Sequence, residues 1–202
     1  MSGRRFASMR QQPKKFAFSS ENSTKAQKLV AKYPVGRQAS ALIPLLDLAQ
    51  RQNGGWLPEA AIRHVASLLD VFEVRAFEVA SFYTMFNLSP RGNFLIQCCR
   101  TTPCWLRGGD ELRETCSRHL KIELGETTSD GMFTLTEVEC LGACVNGPVI
   151  QINDDYYEDL DPERLVELLD SLKTGIVTKT GSQNPDRHFS EPAAGLTTLT
   201  SD

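Results

Sequence analysis

Asn93-Phe94-Leu95-Ile96-Gln97-Cys98-Cys99-Arg100-Thr101-Thr102-Pro103-Cys104 reads as a short apolar run that leads straight into a loop bounded by two cysteines. Such a run is the signature of a buried strand. A second stretch repeats the plan: Gly131 to Val138 alternates like a strand and feeds Cys140-Leu141-Gly142-Ala143-Cys144. The pairs have four and three residues between their cysteines, and 35 residues separate one pair from the other. Two closely spaced thiolate pairs on neighbouring loops suit a soft metal centre, because each pair can hold one side of it.

Working outward, Leu106 to Leu120 predicts a helix after the first pair, and Pro148 to Ile152 predicts a strand after the second, with Asn153-Asp154-Asp155 as its turn. Asp161-Pro162-Glu163 opens a last helix that ends near Gly175. Strand, helix, two further strands and a helix make a small α/β sandwich in thioredoxin-like order. Upstream, from Ser19 to Leu88, the pattern is helical. Leu42, Leu45, Leu46, Leu48 and Ala49 share one face, and Pro58 introduces a helix whose stripe is Ile62, Val65, Ala66 and Leu69. Val74 to Met85 predicts a further helix, with Phe72, Phe77, Phe82, Tyr83 and Phe86 expected in its core. The expected class is α+β: a basic, disordered tail over 1–18, a helical bundle over 19–90, a thioredoxin-like domain over 91–175 and an extended tail over 176–202.

The totals narrow the function. The chain has 202 residues, 41% hydrophobic and 23% charged, an ordinary globular composition, and its net charge of −3 is not a nucleic-acid footprint. No apolar run approaches a membrane span and no secretory leader is evident, so no direct membrane insertion is expected. In a reducing compartment, paired cysteines bind metal or do redox chemistry more often than they staple a fold. The N-terminal run carries Arg4, Arg5, Arg10, Lys14 and Lys15 without an acid, which suits either a transit peptide or a basic tail.

Four thiolates, two per iron, are the usual donor set of a [2Fe–2S] cluster. Pro103 stiffens the first loop, and Gly142 allows a tight second loop whose N–H groups can point at sulfur. Zinc on four cysteines is the inorganic rival. Thiol–disulfide exchange is disfavoured, because no Cys-x-x-Cys occurs. Cys98 and Cys116 are expected as buried spectators. No general acid, base or nucleophile stands out, and no Gly-x-Gly-x-x-Gly fingerprint for a dinucleotide is present.

From Ser19 to Gly175 the sequence resembles the small [2Fe–2S] subunit of NADH:quinone oxidoreductase, respiratory complex I. The resemblance is carried by Cys99-Arg100-Thr101-Thr102-Pro103-Cys104-Trp105-Leu106-Arg107, Gly125-Glu126-Thr127-Thr128, Glu137 to Asn146 and Gln151 to Tyr157. It implies one [2Fe–2S] cluster on Cys99, Cys104, Cys140 and Cys144. It implies two partners, a flavoprotein subunit that carries FMN and NADH and the large iron–sulfur subunit. It also implies single-electron exchange with the flavin, with no catalytic residue on this chain. The place implied is the inner face of a bacterial plasma membrane, or alternatively the matrix side of the mitochondrial inner membrane. Related subunits serve soluble NAD-dependent formate dehydrogenases and hydrogenases, an alternative with the same cofactor. A zinc-stapled interaction module is the alternative without redox chemistry. Arg100 departs from the small or polar residue expected there.

Overall fold

The computed structural model of the chain describes residues 5–176 and 178–187. Its contacts divide it into two compact units that meet in sequence between Arg91 and Gly92.

The first unit is helical. Helix α1 (Ser20–Val30) starts where the Ser19 hydroxyl accepts the Asn22 N–H, 3.2 Å away, so one of the open amides of the first turn is satisfied. Helices α2 (Leu42–Gln52), α3 (Glu59–Leu68) and α4 (Glu73–Phe82) follow. Leu45, Leu46, Leu57, Ile62 and Val65 are fully buried, and so are Ala49, Ala61, Ala66, Ala76 and Ala80. Small side chains let helix backbones approach closely. The Gln50 side chain crosses this core, donating to the Met85 carbonyl at 3.0 Å and accepting the Asn87 N–H at 2.7 Å.

Two expectations for this unit are corrected. Residues 5–18 are not a loose tail: the Ala7 N–H donates to the Leu88 carbonyl (2.8 Å), and the Gln12 side chain accepts the Glu59 N–H at the start of α3 (3.0 Å). Phe6 packs against Phe77, and Phe16 and Phe18 stand edge-on to His64. The charge of the segment hid three aromatic side chains that supply apolar contact. Residues 1–4 lie outside the described set. Of the expected aromatic core, only Phe86 is fully buried, whereas Phe72 is 85% and Phe82 77% exposed. Helix α4 stops at Phe82 and buries its alanines instead.

The second unit is built on a five-stranded sheet. Its strands are β1 (Phe94–Cys99), β2 (Phe133–Val138), β3 (Ile150–Ile152), β4 (Asp155–Glu158) and β5 (Gly181–Ser182), in the order β2-β1-β3-β4-β5. Strand β1 pairs in parallel with β2, placing Cys99 opposite Val138, and antiparallel with β3. Helices α5 (Thr102–Leu106), α6 (Gly109–Leu120) and α7 (Pro162–Lys173) complete the unit. Ile96, Leu112, Phe133, Leu135, Ile150, Leu165 and Leu169 form its core. The expected helix from Leu106 to Leu120 is two helices, broken at Gly108, whose φ of +93° favours glycine.

The expected tail beyond residue 175 needs correction where it is described. Gly181 and Ser182 pair in parallel with Tyr157 and Glu158, the Ser182 hydroxyl donates to Asp159 at 2.6 Å, and Arg187 meets the same carboxylate at 2.6 Å. A polar segment with little apolar content can still be held by the open backbone edge of β4. Residues 188–202 lie outside the described set. Glu158 accepts from the Asn146 amide, Asp161 caps α7, and Asp170 meets His119 at 2.9 Å.

Candidate metal centre

The C-terminal end of β1 delivers Cys99. Two residues on, Thr101 precedes the five-residue helix α5, whose second residue is Pro103, so Cys104 sits on a helical turn rather than in an open loop. The parallel neighbour β2 ends at Val138, and the chain then runs through Cys140 to a 3-10 turn over Cys144–Asn146 before β3 begins. Because β1 and β2 run in parallel, the two cysteine segments that follow them leave the sheet at the same end. None of the six cysteines is in a disulfide.

The sulfurs are gathered in twos. Cys140 and Cys144 stand 3.7 Å apart, and the Cys99 and Cys104 thiols are close enough for each to shift the other's ionisation. Among the described residues, no three His, Cys, Asp or Glu side chains are gathered to grip a single ion. A tetrahedral zinc site needs its donors around one point, whereas a binuclear iron centre needs two thiolates on each iron. The paired arrangement fits the second requirement.

Backbone and side-chain donors already point at these sulfurs. The Gly142 N–H donates to the Cys140 sulfur (3.4 Å), and Cys99 is 3.4 Å from the Thr101 hydroxyl. The Leu141 backbone beside Cys99 and the Val149 backbone beside Cys104 also favour the thiolate forms. Burial would push the Cys99 thiol up, but the bonds from Thr101, Leu141 and Cys104 hold it below the ordinary thiol value. Burial and the neighbouring Cys99 push Cys104 up to about 12. The Gly142 N–H, with Cys144 and Thr101, draws Cys140 down, and the bond to Cys140 pushes Cys144 up. Each pair therefore holds one sulfur disposed to ionise beside one disposed to keep its proton.

Around the sulfurs, Ala143 and Val149 are buried, while Trp105, Leu106 and Val145 remain 55%, 70% and 62% exposed. Cys98 and Cys116 lie elsewhere, 3% and 0% exposed in the core of the second unit, where contact with Cys116 and then burial push Cys98 well up. Arg100 is clamped by carboxylates, 2.9 Å from Glu137 and 3.6 Å from Glu139.

The profile of the thioredoxin-like [2Fe-2S] ferredoxin family matches residues 26–173. The chain belongs to that family. It is 56% identical over 158 residues to a subunit of the NADH-quinone oxidoreductase of Rickettsia bellii, a match spanning 78% of this chain and 95% of that protein. It is 53% identical over 184 residues to the mitochondrial NADH dehydrogenase [ubiquinone] flavoprotein 2 of Dictyostelium discoideum, covering 91% of this chain and 74% of that one. Its fold is similar to part of an NAD+-reducing [NiFe]-hydrogenase, with a TM-score of 0.57 and 22% identity over 66% of this chain and 22% of that one. The family resemblance drawn from the cysteine motifs is thus borne out, and family membership carries one [2Fe–2S] cluster with it.

Two participants escaped the sequence reading. Thr101 touches Cys99 directly, and the Tyr156 hydroxyl donates to the Leu141 carbonyl at 2.7 Å. Tyr156 reaches that carbonyl because the two-residue turn Asn153-Asp154 sends the chain back as β4 beside β3.

Proposed function

We propose that the chain is the electron-transfer subunit of an NADH:quinone oxidoreductase, holding its [2Fe–2S] cluster on Cys99, Cys104, Cys140 and Cys144. The observation that carries the ligand assignment is the pairing of these four sulfurs at one end of the sheet, with the Gly142 N–H aimed at Cys140. When bound, a cluster of this kind takes up and releases one electron at a time.

The chain's own residues set the conditions for that exchange. One thiolate pair would bind each iron, and the Gly142 N–H, which donates to the Cys140 sulfur, stabilises negative charge there. Ala143 and Val149 keep water from one side of the centre. The exposed apolar rim of Trp105, Leu106 and Val145 docks on the flavoprotein subunit that carries FMN and NADH, and the large iron–sulfur subunit is the second neighbour. Hydride chemistry belongs to the flavin on the partner. No described helix is long and apolar enough to cross a membrane, which suits peripheral attachment through the complex at the inner face of a bacterial plasma membrane or the matrix side of the mitochondrial inner membrane. The relatives at 53–56% identity favour this enzyme over the soluble hydrogenase assembly, whose likeness is one of fold.

The test is EPR on anaerobically purified, dithionite-reduced protein, with iron and zinc assayed on the same sample. A rhombic spin-one-half signal with about two irons per chain is expected. Serine at any of the four positions is expected to reduce or reshape it. A silent sample holding about one zinc per chain would overturn the reading.

A further inference from the structure

We propose that Tyr156 is a positioning residue that sets the electron affinity of the metal centre through a single peptide unit. The inference rests on the ligand assignment above and extends it to a residue that touches no sulfur.

Tyr156 lies on β4, opposite Gln151 of β3, and packs beside the small cluster formed by Cys99, Cys104, Ala143 and Val149. Its hydroxyl donates to the Leu141 carbonyl at 2.7 Å. That carbonyl and the Gly142 N–H are the two ends of one amide. The Gly142 N–H in turn donates to the Cys140 sulfur at 3.4 Å. A chain therefore runs from phenol to carbonyl, across the planar amide, and on to sulfur. The amide is conjugated, so a donor on its oxygen withdraws electron density from nitrogen and makes the N–H a better donor.

The same bond also holds the loop in place. Gly142 has φ +83°, a conformation open to glycine, and a Cβ there would meet nothing within 4 Å, so conformation rather than space demands the glycine. Fixing the Leu141 carbonyl thus orients the Gly142 N–H toward the Cys140 sulfur. Hydrogen bonds to ligand sulfur stabilise the more negative, reduced state and raise the reduction potential.

The experiment is a redox titration of the full chain followed by EPR, comparing Tyr156→Phe with wild type at equal iron content. Tyr157→Phe is the control, because that hydroxyl bonds Thr178 instead of the cysteine loop. Tyr156→Phe should keep about two irons per chain and shift to a more negative midpoint, with weaker coupling to an exchangeable proton in the pulsed EPR spectrum. Tyr157→Phe should match wild type in both. An unchanged midpoint in Tyr156→Phe, or an equal shift in Tyr157→Phe, overturns the proposal.

If Tyr156→Phe fails to hold iron, site-specific 3-fluorotyrosine at position 156 keeps the ring and the hydroxyl but makes a stronger donor. A shift to a more positive midpoint below pH 7 then supports the relay, and no shift overturns it. Failure of the ligand assignment would show separately, as wild-type protein with no iron and no signal.

Discussion

Gly109 stands directly against Cys104: a Cβ built on Gly109 would lie 2.9 Å from the Cys104 carbonyl oxygen and 3.3 Å from that of Cys99. Gly109 begins α6 with ordinary helical backbone, so space rather than conformation demands the glycine. Gly109→Ala is expected to push the first cysteine turn outward at a cost of about 1–3 kcal/mol. Thermal melts and iron content report it, and an unchanged melt with full iron would show that the turn yields freely.

Leu165 is fully buried in α7 beneath the sheet. Leu165→Ala removes apolar contact and leaves a cavity, at an expected cost of about 2–5 kcal/mol. Val35 is 98% exposed, and Val35→Ala should stay within about 0.5 kcal/mol of wild type. Urea denaturation of both variants checks the contrast.

Arg100 brings a guanidinium to the residue after Cys99, where Glu137 and Glu139 hold it. Arg100→Thr removes the cation and leaves both carboxylates, so the midpoint of the metal centre should become more negative. Glu139→Gln should move it the other way and by less, since that side chain is 79% exposed. Both shifts should shrink as salt is raised. Midpoints that ignore both substitutions would show that solvent screens the clamp completely.

Metal-stripped protein should alkylate in a fixed order, because the thiolate is the reactive form. Cys140 is exposed and drawn down by the Gly142 N–H, so it should react first as pH rises toward neutrality. Cys104, buried and pushed up to about 12, should react last among the four proposed ligands. Buried Cys98, also pushed up, should be inert until the fold opens. Peptide mapping after timed iodoacetamide treatment between pH 6 and 9, an interval around the thiol range, reads the order. Labelling of Cys104 before Cys140 would contradict it.

The Asp159 side chain is 6% exposed and is met by Arg187 at 2.6 Å. Arg187→Ala leaves that carboxylate with fewer donors, at an expected cost of about 1–3 kcal/mol. The Asp159 N–H also bonds the Asn146 carbonyl (2.8 Å), so loosening should reach the turn after Cys144. Faster amide exchange at both places is the expected readout.

The cysteine pairs were legible because thiol spacing is a strict local signal, and the strands before them because apolar runs and alternation are local too. The course of β4 and β5 was not, since their few residues are ordered by pairing with an edge that sequence does not display. Periodicity found α2 and α3 but overran α4, where Ala76 and Ala80 make the contact that the larger aromatics suggested. The Tyr156 hydrogen bond was not legible because its partner is a backbone carbonyl 15 residues away.

The placement of β1 between β2 and β3 has a consequence for synthesis. Cys99 and Cys104 leave the ribosome well before Cys140 and Cys144, and at about 5–20 residues per second the interval is about 2–8 s. Through that interval the first two thiols have no second pair to share a metal with, and β3 and β4, which complete the setting, emerge later still. On the proposed ligand assignment, a complete four-thiolate site therefore exists only once Cys144 has emerged and β3 can pair with β1.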